Sequence, residues 1–382
     1  MRHLLRGSAI IVGLLSGAAA VPLPAYAAPD VTVACGDTAG LIRAVTALDG
    51  PGGTIRLADD CVYAFEGAYG TSSDALPPVT GNVTIEGGNS TLMRSTDSAT
   101  RFRVLEVSAT GTLRLHAVQV RAGDAAFGGG IQVHAGGRLT LEDSTVGGNR
   151  AAGYGGGIYN QGTTTLRRSS VSGNVADFGA GIENADGARL TVGYSTIDGN
   201  QATTEGGGID NSAGTLTVEA STLAHNRARD EGGGAVSSHG ASHVTLTDSV
   251  LSDNTAGLDG GAVENGAGAA LKGTRTTLQE NRAGRDGGGV SNEGTADLDQ
   301  VQVTQNSAGR DGGGINNETG AAGGTTAALA LGHSTIAGNR AVRHGGGVND
   351  RTGSGTALQD GGVAGNRPGN CFPLNTVPGC RD

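Results

Sequence analysis

The chain repeats a single phrase. LQENRAGRDGGGVSN, beginning at Leu278, returns one repeat later as VTQNSAGRDGGGINN, ending at Asn317. Each copy holds an aliphatic residue, two variable positions, Asn, a small polar linker and a run of Gly. An aliphatic residue, one variable position and a second Asn then close it. The aliphatic residue after the Gly run falls at Ile131, Ile158, Ile182, Ile209, Val236, Val263, Val290, Ile315 and Val348. The gaps are 27, 24, 27, 27, 27, 27, 25 and 33 residues. Asn149, Asn174, Asn200, Asn226, Asn254, Asn281, Asn306, Asn339 and Asn366 keep the same step. A repeat of this length running through most of the chain implies one long stacked body, not separate domains.

Within each repeat, apolar residues recur at period two, as in Leu190-Thr191-Val192 and Leu216-Thr217-Val218. That is the period of a strand. Three short runs and three bends in about 27 residues fit one turn of a right-handed parallel β-helix, with turns stacked at about 4.8 Å. The fold class is therefore all-β. Leucine-rich repeats would need a Leu spacing that is absent. Helical repeats would not survive 71 Gly in 382 residues. One turn alone buries too few side chains to offset the ordering of its backbone, so turns are stable only against neighbours and under caps. Thr38 to Leu48, with Asp37 as N-cap and Leu41, Val45 and Leu48 on one face, reads as the N-terminal capping helix. Gly53–Leu57, Asn82–Glu86, Phe102–Val107 and Thr112–Val120 read as degenerate early strands, with a longer loop from Tyr63 to Pro78.

Residues 1–27 read as a secretory signal peptide: Arg2 and Arg6, an apolar run from Ala9 to Leu15, then Ala25-Tyr26-Ala27 before the cleavage point. The expected divisions are 28–125 for the cap and degenerate turns, 126–366 for regular repeats and 367–382 for a C-terminal cap. No later stretch is apolar enough to span a bilayer, so the expected product is secreted, extracellular or at the cell surface. Cys35 and Cys61 precede the repeats, and Cys371 and Cys380 follow them. Their positions favour one disulfide at each end, Cys35–Cys61 and Cys371–Cys380. A net charge of −10 with a single lysine, Lys272, argues against nucleic acid as a partner. Oligomeric state is not legible.

The Asn columns read as internal amide ladders, with Asn also suited to left-handed bends. The Gly runs read as bends and close-stacking points, since no complete phosphate-loop string accompanies them. One further column, just before each Gly run, carries Phe127, Tyr154, Phe178, Glu205, Gly232, Asp259, Asp286, Asp311 and His344. Stacked on the outside, aromatics at one end and carboxylates at the other would suit a polysaccharide or cell-surface glycan. The competing reading is a row of solvated loop tips. Arg285 and Arg310 are placed to neutralise the acids, and the spacing of Asp259, Asp286 and Asp311 also admits a bridging Ca2+. No other cofactor is expected. The histidines are scattered; His239 and His243 lie four apart in a Ser/Gly stretch, a weak basis for zinc. Ser334 matches Ser144, Ser169, Ser195, Ser221 and Ser249 as a repeat residue.

The strings GGGIYN, GGGIDN, GGAVEN and GGGVSN, alternating with VSGN, IDGN and IAGN, resemble the repeats of polymorphic outer membrane proteins and related secreted β-helix proteins. That family pairs Gly-Gly-Ala-aliphatic with Phe-x-x-Asn. Gly233–Val236 and Gly260–Val263 match the first string, and Val, Ile or Leu replaces Phe in the second. The resemblance covers about Gly128 to Asn366 and implies surface exposure and adhesin-like roles on a pectin-lyase-like fold. The active-site strings of pectate lyases and polygalacturonases are absent. The expected function is a non-catalytic surface or matrix protein, binding glycans along the column. The alternative is a polysaccharide lyase or glycoside hydrolase.

Overall fold

The computed structural model describes residues 29–319, 327–352, 356–374, 377 and 380. The expected leader, most of the extra stretch from Glu318 to Thr326 and parts of the C-terminal cap lie outside them. The described chain is an all-β parallel solenoid with one helix, α1 (Thr38–Leu48). Every strand pairing is parallel and joins equivalent residues of successive turns, as in Leu216 with Val244 and Val218 with Leu246. One face is an 11-stranded sheet running from Leu105–Val107 and Ile131–Val133 to Val348–Asp350 and Cys371–Phe372.

A regular turn has four strands, not three: for example Ile209–Ser212, Thr215–Glu219, Thr222–Ala224 and Arg227–Ala228. The fourth follows the Asn and is two residues long in most turns, too short for alternation to reveal; Val175–Phe178 and Gln201–Glu205 are longer. The early turns also differ from expectation. Asp30–Val33 is a strand paired with Gly53–Leu57, and Val62–Phe65 is a strand where a loop was expected. Inward aliphatic side chains form one core along the body, from Leu41 and Ile55 through Leu216 to Val348. The helix closes one end: Asp37 Oδ1 accepts from Gly40 N at 2.7 Å, and Leu41, Val45 and Leu48 are buried. Both expected disulfides, Cys35–Cys61 and Cys371–Cys380, are present.

The first Asn column is a continuous ladder. Asn254 Nδ2 donates to Asn281 Oδ1 at 3.0 Å and Asn281 Nδ2 to Asn306 Oδ1 at 3.0 Å. Each Oδ1 also accepts the backbone N–H of the preceding turn's Asn, as from Asn281 N to Asn306 at 2.9 Å. Buried amides are thereby satisfied on every side, which is what burial of polar groups requires. These Asn do not occupy the left-handed bends, contrary to expectation. The residue before each does: Gly173, Gly199, His225, Asp253, Glu280 and Gln305 have φ between 52° and 63°. The second column, Asn160–Asn184–Asn211, breaks at Ser238, whose hydroxyl turns to Ser242 at 2.6 Å, and resumes at Asn265–Asn292–Asn317. A Ser ladder runs from Ser144 through Ser169 and Ser195 to Ser221.

Candidate functional site

The Gly runs fold back over the 11-stranded sheet. The Gly after each column position takes a left-handed φ, 64° at Gly206 and 69° at Gly233, and its neighbour in space is the residue between the aliphatic position and the second Asn. A Cβ on Gly157 would lie 2.6 Å from the Gly181 carbonyl, so the runs need Gly for close stacking as well as for bending. This fold-back brings two outward columns together. One is the residue before the Gly run. The other is Tyr159, Glu183, Asp210, Ser237, Glu264 and Ser291, paired turn to turn.

The predicted column is in register throughout. The residue after each member donates its N–H to the next member's carbonyl: Gly128 to Tyr154, Gly155 to Phe178, Gly179 to Glu205, Gly260 to Asp286 and Gly287 to Asp311. Its aromatic end is a surface. Phe127 and Tyr154 are exposed, at 42% and 38%. Phe127 stacks on Tyr154 with centroids 5.8 Å apart, and Tyr154 on Phe178 at 5.0 Å with planes 20° apart. Tyr159, from the neighbouring column, lies 5.8 Å from Phe127 and 6.2 Å from Tyr154.

The acidic end corrects the expectation of exposed carboxylates. Asp259, Asp286 and Asp311 are buried. The arginine preceding the next turn's Asp reaches back one turn. Arg285 Nε donates to Asp259 Oδ1 and Arg310 Nε to Asp286 Oδ1, both at 2.8 Å, each with a second contact through Nη2. Arg351 and His344 hold Asp311 in the same way. Each Asp Oδ1 also accepts a backbone N–H from the turn above: Asp286 N to Asp259 and Asp311 N to Asp286, both 3.0 Å. A calcium ion bridging these three would have to displace those arginines. Arg285 and Arg310 do pair with the acids, but each gives its hydrogen bonds to the previous turn's acid, while the acid beside it in sequence lies 3.7 Å and 3.6 Å from Nε.

Between the aromatic stack and the arginine-paired acids lies a cluster that sequence reasoning missed. Glu183, Glu205, Asp210 and Glu264 come from three of four consecutive turns and converge around Ser212, Ser237 and His239, the last two from the remaining turn. Ser237 Oγ lies 3.1 Å from Glu205 Oε2 and 3.3 Å from Glu264 Oε2. Ser212 Oγ lies 3.2 Å from Glu183 Oε1 and 3.0 Å from His239 Nε2. His239 Nδ1 faces Asp210 at 3.6 Å and Glu205 at 4.0 Å. Among the described residues no Lys or Arg pairs with any of the four carboxylates. Burial pushes Glu183 up to about 7 and Glu264 to about 8, while Asp210 rises well above its ordinary value through burial and then through Glu183 and Glu205. Acids perturbed by burial and by one another make this cluster a candidate functional site.

The signal was present in the quoted strings. The letter before the closing Asn is acidic in GGGIDN and GGAVEN, as in Ile182-Glu183-Asn184, and alternation turns that letter away from the core. His239, dismissed beside His243, acquires its partners from the previous turn; His243 belongs to a different strand, on another face. That other face carries a groove of about 540 Å³ lined by His243, Thr245, Lys272 and Asp297, built from repeat residues with no comparable cluster.

No family model matches the chain, and no curated protein or solved structure does.

Proposed function

We propose that the chain is a non-catalytic surface or matrix protein that holds a polysaccharide against the aromatic end of the Gly-run face. The observation that carries this is the exposed ladder Phe127–Tyr154–Phe178, widened by Tyr159. Aromatic rings are 3% of the chain, yet four of them gather in three turns. A row of near-parallel rings offers successive flat apolar faces on which the C–H faces of sugar rings pack, and Tyr hydroxyls give the polar contacts. The stacked-turn architecture suits display of such a row, because each turn adds one ring at a fixed step. Two disulfides at the ends fit an oxidising compartment, and with the leader-like residues 1–27 they support export. Among the described residues no helix is long and apolar enough to cross a membrane. Descent from the polymorphic outer membrane repeats or the pectin-lyase-like proteins remains part of this proposal, resting on the GGAV strings and the solenoid alone.

The expected result on a glycan array is retention of at least one extended oligosaccharide class. The variant Phe127→Ala/Tyr154→Ala should weaken that binding by tenfold or more with an unchanged thermal midpoint. Equal binding by the double variant removes the aromatic ladder from the account. A second reading, a lyase or hydrolase, is favoured by Glu183 and Glu264, which burial keeps protonated near neutral pH, as a general acid requires. Release of reducing ends from uronic-acid polymers, lost in Glu264→Gln, would establish that reading in place of the first.

A further inference from the structure

The strongest unexplained feature is that Asp210 is 1% exposed and neither carboxylate oxygen meets an N–H or O–H donor, its polar neighbours being the Glu183 carboxyl and His239 Nδ1 at 3.6 Å. Glu183 Oε2 is likewise buried and unpartnered. A buried carboxylate in this state carries a large desolvation cost unless a cation or proton meets it. We propose that Glu205, Asp210 and His239 form a binding site for one divalent first-row transition-metal ion.

Three arguments support the site. One ligand atom from each of these residues lies within 4.8 Å of the other two, close enough for a single ion to touch all three. The donors come from rigid, in-register positions on neighbouring turns, with Asp210 in Ile209–Ser212 and His239 in Val236–His239. The third argument is the orientation of the imidazole. In the tautomer that donates Nε2–H to Ser212 Oγ, with the Ser212 hydroxyl donating to Glu183 Oε1, Nδ1 would present its lone pair towards Asp210 and Glu205. A lone pair facing two carboxylates is repulsive without a positive charge between them. The same hydrogen-bond chain is how proteins orient a metal-ligating histidine from behind. One imidazole nitrogen with two carboxylates selects ions such as Zn2+ or Mn2+ over Ca2+, which prefers oxygen alone. Glu205 and His239 retain partial exposure, 19% and 42% for their side chains, and give the ion a way in. Arg285 and Arg310, the nearest basic pairs along the face, are engaged by Asp259 and Asp286, so neither competes for the site. Metal uptake is expected whether or not the aromatic ladder takes a glycan.

The test is equilibrium dialysis of the chelator-stripped full chain against Zn2+ or Mn2+ at pH 7.5, with metal content read by mass spectrometry. Wild type should take up one ion per chain, and the ion should raise the thermal midpoint. Asp210→Asn should lose the ion, and His239→Gln should weaken it by at least tenfold. Should Asp210→Asn fail to fold, Glu205→Gln and His239→Gln, both at partly exposed positions, carry the comparison. No uptake of either ion by wild type, unchanged uptake by these variants, or uptake of Ca2+ alone would each overturn the assignment.

Discussion

Raising the pH of the metal-free protein from 5 to 8 in chelator lowers its stability, on the order of 2–4 kcal/mol from Glu264 alone. Glu264 moves from an ordinary 4.5 to about 8 in the folded chain, and Glu183 from 4.5 to about 7, both chiefly through burial. The groups facing them are Glu205, Asp210, Asp259 and Glu293, with Ser212 and Ser237 the hydrogen-bonding neighbours. Between these limits the folded state keeps protons that the unfolded chain has released. Stability from these groups is therefore full below about pH 4.5 and lost as pH rises through 7 to 8. The figure for Glu264 is kept at the low side because its side chain retains some contact with water. Exposed acids paired with arginine, such as Asp143 and Asp248, are shifted down and act in a separate window, losing their contribution only as pH falls through the acidic range. Urea midpoints at pH 5, 6.5 and 8 measure the slope. Glu264→Gln should flatten it, and a midpoint rising from pH 5 to 8 in wild type would contradict the burial of this cluster.

Arg310→Ala should destabilise the protein by about 2–4 kcal/mol, because it strips the buried Asp286 carboxylate of its hydrogen-bonding cation and leaves only Arg285 Nε, 3.7 Å away. The value sits below that of a fully enclosed pair, since the Arg310 side chain is 30% exposed. Asp286→Asn in the same background should restore much of the loss, as the amide still accepts the Asp311 N–H and carries no charge. Arg275→Ala is the control. Arg275 pairs with Asp248 at 2.7 Å in the same one-turn-back geometry, but in solvent, and its loss should not move the urea midpoint measurably. An equal effect of the two arginine variants would mean that the Asp column is as solvated as loop tips.

The parts of this molecule legible in its sequence are those that repeat. The Asn ladder, the register of the Gly-run face and the strand period all follow from positions that recur every turn, because stacking converts a sequence period into a spatial column. The disulfides followed from their places outside the repeats. What did not follow was anything made by residues from different turns with no periodic identity. Asp286 looked exposed because its arginine lies a full turn ahead in the chain. Glu183, Asp210, Ser212 and His239 looked variable because neighbouring turns carry different residues there. The left-handed bend was assigned to Asn254 and its equivalents on propensity, but stacking reserves their amides for the ladder and passes the strained φ to the preceding residue, as at Asp253.

Every statement about the Gly-run face rests on successive turns lying in register, and cysteine cross-linking of outward positions tests that most directly. Thr217 and Thr245 are Cα partners, whereas Thr247 pairs with Glu219. In-register neighbours lie about 4.8 Å apart, within disulfide reach, while a displacement of two residues opens the gap to about 8 Å. On mild oxidation of the folded protein, Thr217→Cys/Thr245→Cys should close its new disulfide nearly completely, and Thr217→Cys/Thr247→Cys should keep free thiols, as read by thiol labelling and mass spectrometry. Closure of the displaced pair with the aligned pair left open would contradict the stacked register, and with it the aromatic ladder and the carboxylate cluster.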